Sequence, residues 1–214
     1  VAPCNANAAA ATADPASCRT VRLADVGWTA ETATTAVLAQ MLADLGYKPG
    51  ITVLSVPVTL ESMKNGDIDV FLGNWMPAQA SMLQPFTDDG SVEVVRHNLV
   101  GAKYTLGVPD YLHDAGLKDF SDIQRFRKEL GASIYGIEPG NDGNHIILEL
   151  IRKNEFGLGG FRLVESSEQG MLAQVERAYR TRQPVVFLAW APHPMNTHFN
   201  VRYLTGGDAS FGPD

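Results

Sequence analysis

The chain has 214 residues, 45% of them hydrophobic and 19% charged, with a formal net charge of −7 at pH 7. These fractions are those of a soluble globular protein with room for a sizeable core, in one large domain or two small ones. The acidic balance, with no Lys/Arg cluster, argues against nucleic acid and anionic membranes as partners, and no apolar stretch approaches the roughly 20 residues that cross a bilayer.

Residues 1–18 read as a flexible leader, because Val1 to Ser17 is rich in Ala with Asn, Thr and Pro and has no hydrophobic periodicity. The leader lacks the basic start and apolar core of a signal peptide, so the expectation is that any such peptide has already been removed. The only cysteines, Cys4 and Cys18, are too few for a zinc framework. Either they pair locally or Cys18 needs a partner from outside the chain.

Val21 to Val26 alternates weakly and predicts a first strand. Thr32 to Leu45 carries Ala33, Ala36, Val37, Met41 and Leu45 at helical spacing and stops at Gly46. Ile51 to Val56 is a second strand, Thr59 to Asn65 a short helix and Ile68 to Leu72 a third strand. This βαβαβ order suits a parallel sheet. Two strand-like runs then occupy Val92 to Leu106, around His97-Asn98. Asp119 to Glu129 is predicted helical and Ser133 to Ile137 extended. The turn Gly140-Asn141-Asp142-Gly143-Asn144 follows, and then a helix from Ile146 to Lys153. Phe161 to Val164 is a strand. Ser166-Ser167-Glu168-Gln169 has the form of a capping box before the helix Gly170 to Arg180, and Val185 to Leu188 is the last predicted strand.

Two stretches share one plan. Ser55 to Pro77 and Ser166 to Pro192 each run through a helix, a polar break, a Phe-Leu strand, a Trp and a Pro. All three tryptophans, Trp28, Trp75 and Trp190, come just past short apolar runs. Ligands of α/β sheets bind beyond the carboxyl ends of the strands, so these indoles are expected to wall one cleft between two similar lobes. Electron-rich rings there suit a cation with no hydrogens to donate. Signatures of enzymes are absent: no Gly-x-Ser-x-Gly elbow, no phosphate loop and no Gly-x-Gly-x-x-Gly. His193 and His198, five residues apart among prolines, lack ligand spacing and read as ordinary loop residues. The 140–144 turn suits helix capping, although its position at a strand's end also lets an Asn reach the cleft. By pattern alone, Tyr104 is a core residue.

The runs Asp25-Val26-Gly27-Trp28-Thr29, Asp67 to Pro77, Gly101 to Leu106, Tyr135 to Asn144, Glu165 to Val175 and Pro192 to Asn196 resemble a known group. They are similar to the choline-binding members of the glycine betaine/choline substrate-binding proteins of ABC transporters, from about Cys18 to the last residue. The resemblance implies a type II periplasmic binding protein. Its two α/β lobes would close on a quaternary ammonium and deliver it to a membrane permease, without enzymatic activity, cofactor or metal. By motif position its aromatic box comprises Trp28, Trp75, Tyr104 and Trp190, with Asn141 as the polar contact. The implied lobes are residues 19–98 plus 205–214, and residues 99–204.

The chain departs from the group's pattern at Ala30, where an aspartate is usual, and at Ala191, where the expected run is Trp-Glu-Pro-His-Pro. The group also continues past Asp214, which leads to the expectation of a first lobe incomplete at its C-terminal end and lacking a cysteine for Cys18. Such a segment alone is expected to associate or aggregate. The nearest rival is the same fold binding glycine betaine or carnitine. A more distant one is an enzyme acting on a choline ester, for which no nucleophile–base pair is found.

Overall fold

The structure, a computed structural model, describes residues 15–212. The first lobe is built from β1 (Thr20–Asp25), α1 (Thr29–Asp44), β2 (Lys48–Val53), α2 (Val56–Lys64) and β3 (Val70–Phe71), followed by α3 (Ala80–Asp88). Its three-stranded sheet has the order β2-β1-β3, with both pairs parallel. The βαβαβ reading is thus realised, and the parallel arrangement puts the loops after β1 and β3 on one edge. Those loops carry Trp28 and Trp75.

The second lobe contains β4 (Lys103–Pro109), α4 (Asp110–Asp114), β5 (Ser133–Tyr135), α5 (Asp142–Arg152), β6 (Arg162–Val164), α6 (Glu168–Thr181), β7 (Phe187–Ala191), α7 (Met195–His198) and β8 (Val201–Tyr203). Its five-stranded mixed sheet runs β6-β5-β7-β4-β8, with β4 antiparallel to both neighbours. Phe120, Phe187, Leu106, Ile134, Ile147 and Leu158 are fully buried around it, each worth about 1.5–3 kcal/mol relative to exposure. This core holds the second lobe rigid behind the cleft.

Several expectations are corrected. The apolar stripe of α1 does not face inward: Val37, Met41 and Leu45 are 61%, 57% and 73% exposed, while Glu31 and Thr35 are buried. The helix is seated through polar bonds at its first turns, where Glu31 accepts from the Val26 N–H at 3.1 Å and from the Thr35 hydroxyl at 2.8 Å. Residues 92–102 form no strand. The cap of α6 is Ser167 rather than Ser166, and Gln169 donates to the Gly27 carbonyl instead of closing a capping box. Strand β7 starts two residues later than its apolar run, which places Trp190 inside the strand.

The segment after β8 lies against the second lobe, rather than joining the first lobe's sheet. The Thr205 hydroxyl donates to Asp119 at 2.7 Å. In α8 (Asp208–Phe211), Phe211 packs edge-on to Tyr104 with ring centroids 5.8 Å apart. Gly212 lies against Pro77 of the first lobe. Cys18 is exposed and has no disulfide partner among the described residues. Its local pairing with Cys4 concerns a residue outside those described, as does most of the leader.

Candidate functional site

Trp28, Trp75, Tyr104 and Trp190 converge on one small cavity, lined also by Ile137 and Asp142. Trp28 is the N-cap residue of α1, and Trp75 sits in the loop after β3. Tyr104 and Trp190 are register partners on the antiparallel strands β4 and β7. Ring centroids are 5.8 Å apart for Trp75–Tyr104 and 6.3 Å for Tyr104–Trp190, at interplanar angles of 53° and 73°. The rings therefore meet at angles rather than stacked, which leaves faces open to the enclosed space.

Each ring is held by its surroundings. The Trp28 indole N–H donates to Glu138 Oε1 at 2.9 Å. The Trp190 carbonyl accepts from Asn196 Nδ2 at 2.8 Å, and its ring lies 5.0 Å from the His193 imidazole at 69°. The Tyr104 hydroxyl donates to Asn141 Oδ1 at 3.2 Å. A Cβ on Gly143 would stand 2.1 Å from that hydroxyl, so glycine in the first turn of α5 is what makes room for Tyr104.

Asn141 takes the capping role and does not itself line the cavity. It is the N-cap of α5, accepting from the backbone N–H groups of Gly143 at 2.8 Å and Asn144 at 3.2 Å. The same oxygen accepts from Tyr104, which puts Asn141 one bond behind the cavity wall.

Sequence reasoning missed Asp142, which lines the cavity and is 2% exposed. Its Oδ1 accepts from Gln79 Nε2 at 3.1 Å and Asn141 Nδ2 at 3.3 Å, whereas Oδ2 makes no hydrogen bond of ordinary geometry and the Tyr104 hydroxyl stands beside the carboxylate. Burial pushes its carboxyl up to about 6. The only signal was an Asp inside a capping turn, a position where acidic residues are common for helix-dipole reasons alone. Burial likewise raises the Glu138 carboxyl and holds the Tyr104 phenol neutral.

A second polar cluster joins the lobes beside the cage. Glu168 accepts from the Thr29 N–H at 3.0 Å and from the Thr29 hydroxyl. His193 Nε2 lies 3.0 Å from the same carboxylate, and its Nδ1 accepts from the Met195 N–H at 2.9 Å. With Nδ1 accepting, Nε2–H is the donor to Glu168. Burial pushes Glu168 up, but the bonds from His193 and Thr29 outweigh it and hold its carboxyl below the ordinary value. His193, read as a loop residue, is buried against Trp190.

At the departures from the pattern, Ala30 is half-buried in the first turn of α1. Glu31 does not replace an aspartate there: it is engaged beneath Gly73, beside Asp25, and its carboxyl is raised to about 7 by burial and by Asp25. Among the described residues no His/Cys/Asp/Glu group is arranged to hold a metal ion, and no helix is long and apolar enough to cross a membrane.

Two α/β lobes meeting over a buried aromatic cavity, at the ends of their strands, define a solute-binding protein of the periplasmic-receptor type. The chain belongs to the family of the substrate-binding domain of ABC-type glycine betaine transport systems, whose model matches residues 19–214. Members of this family are extracytoplasmic substrate-binding proteins of ABC transporters, not enzymes.

A solved ABC-transporter choline-binding protein in complex with choline is 57% identical, with a TM-score of 0.92 over 94% of this chain and 70% of its own. An unliganded semi-closed conformation of an ABC-transporter choline-binding protein, also 57% identical, gives 0.85 over 92% of this chain and 69% of its own. Lactococcal OpuAC, closed on glycine betaine, is 26% identical with a TM-score of 0.81, over 91% of this chain and 74% of its own. Among curated proteins, the glycine betaine/carnitine transport binding protein GbuC of Listeria monocytogenes is 32% identical over 93 residues, 43% of this chain and 30% of its own.

Proposed function

We propose that this chain captures choline as the extracytoplasmic receptor of an ABC importer, in the periplasm, and hands it to a transmembrane permease. Trp28, Trp75, Tyr104 and Trp190 form the aromatic box around the trimethylammonium group, and Asn141 supplies the polar contact, directly or through Tyr104. The lobes are residues 19–98 and 99–204, with crossovers near Asn98 and Leu204 acting as hinges.

One observation carries the reading: four rings converge on a buried cavity whose only charged wall group is a carboxylate. A quaternary ammonium has no hydrogen to donate, so ring faces and a negative field are the contacts open to it. Likeness to the choline-bound protein supports the same ligand. Glycine betaine is the weaker reading, because its carboxylate would enter a cavity lined by the Asp142 carboxylate and by no Lys or Arg.

Calorimetric titration with choline, acetylcholine, glycine betaine and carnitine tests the assignment. Choline is expected to bind most tightly, with simple saturation and no turnover of the ester. Tighter binding of betaine would transfer the assignment to the second reading.

A further inference from the structure

Aromatic faces attract a cation but do not by themselves reject a zwitterion that carries the same trimethylammonium head. Asp142 adds what the rings lack. It is a cavity-lining carboxylate, 2% exposed, with one oxygen held by Gln79 and Asn141 and the other lacking a hydrogen bond of ordinary geometry, with the Tyr104 hydroxyl beside the group. A buried carboxylate is costly to ionise unless a positive charge arrives beside it. No Lys, Arg or protonated His lines the cavity to supply one.

We infer that Asp142 is the charge partner of the bound quaternary ammonium, selecting a cation over a zwitterion and coupling capture to release of a proton. The inference rests on the choline reading proposed above. Groups facing Asp142 come from several elements: Tyr104 of β4, Gln79 ahead of α3, and Asn141 and Glu138 from the loop entering α5. None carries a positive charge. Tyr104 stays neutral through burial, and the negative Glu138 adds to the rise of Asp142 to about 6. Near that pH the empty cage holds part of its Asp142 population protonated. A bound cation stabilises the ionised form, so the proton leaves to solvent as choline enters. The sign follows: affinity is full above about pH 6 and falls as the solution is acidified.

The test is calorimetry from pH 5 to 8, in two buffers of different ionisation heat, on the wild-type chain and Asp142→Asn, with choline and glycine betaine. For the wild type, choline affinity is expected to fall about tenfold toward pH 5, with fractional proton release near pH 6. In Asp142→Asn, choline should bind at least about tenfold more weakly at pH 7.5. Its pH dependence should flatten, and betaine should bind no more weakly than to the wild type. Flat wild-type affinity with no proton release would overturn the inference while leaving the choline reading intact. An Asp142→Asn variant that keeps the parental pH profile and choline-to-betaine ratio would do the same, pointing to Glu138 as the proton source. Wild-type protein that fails to bind choline at any pH would overturn the functional reading itself. Melting curves establish that the variant is folded, and the wild-type proton count decides the matter if it is not.

Discussion

Trp28 and Glu138 are joined across the cleft by a 2.9 Å hydrogen bond from the indole N–H to the carboxylate. Trp28 comes from the loop after β1 and Glu138 from the loop entering α5, so one lobe fixes the orientation of the other lobe's cage ring. On the proposed reading the cage is complete only when the lobes meet, so that closure and recognition would be one event. Glu138→Ala should weaken choline binding roughly three- to tenfold, the worth of one such bond, and should alter Trp28 emission in the liganded state. Unchanged titration would mean that Trp28 is held by packing alone.

The rings themselves should contribute more. A desolvated ring–cation contact is worth about 2 kcal/mol or more, so Trp75→Ala and Trp190→Ala should each weaken choline binding at least about 30-fold. Phe at either position should cost less. Calorimetry with circular dichroism as the folding control checks this, and parental binding by both alanine variants would refute the box.

Gly143→Ala offers a test in which helix propensity and the site point in opposite directions. Alanine favours the helix by about 1 kcal/mol, but its Cβ would stand 2.1 Å from the Tyr104 hydroxyl. Choline affinity is expected to drop at least about tenfold as the ring is displaced. Adding Tyr104→Phe should recover part of the loss, because the nearest clashing atom is then gone while Leu188 Cδ2 and the ring's Cζ stay close, at 2.7 and 2.8 Å; a double-variant cycle measures the coupling.

Ala30→Asp should tighten choline selectively. The position is half-buried at the first turn of α1, where an added carboxylate also suits the helix dipole. Glu31 cannot stand in, being engaged with Val26 and Thr35. Equal gains for choline and betaine, or none, would show that position 30 does not face the ligand.

Glu31 governs a pH dependence of stability instead. Its folded value, about 7, lies above the ordinary 4.5, so the protonated form is favoured by folding. That contribution is fully present below 4.5 and is lost as pH rises toward 7. The ligand-free chain should therefore melt at higher temperature at pH 5 than at pH 8. Glu31→Gln keeps an acceptor for the Val26 N–H and should narrow the difference by about 3 °C. A melt as steeply pH-dependent as the parent's would exclude Glu31 as the source.

The parts of this molecule readable in advance are those encoded locally. The βαβαβ unit announces itself through Gly and Pro breaks between short apolar runs, and Trp75 and Trp190 through Trp-x-Pro endings. Periodicity failed for α1 because its seat is a polar network at one end rather than a stripe along its side. Asp142, Gln79, Glu168 and His193 were illegible because nothing in their own segments marks them. Each owes its role to partners far away in the chain: Gln79 meets Asp142, and Thr29 meets the Glu168 that His193 also holds. His193 lacks ligand spacing, a criterion that does not bear on a residue packed against Trp190.

The bonds that tie Thr29 to Glu168 and Gly27 to Gln169 lie outside the cage, yet on the proposed reading they would set how long its occupant stays. A guest walled by both lobes would leave as these contacts part. Its residence time is then the lifetime of the seam, and chemical affinity inside the cage sets only how firmly the seam is kept shut. A partner that pries the seam open from the outer surface would discharge the cargo without competing for a single ring.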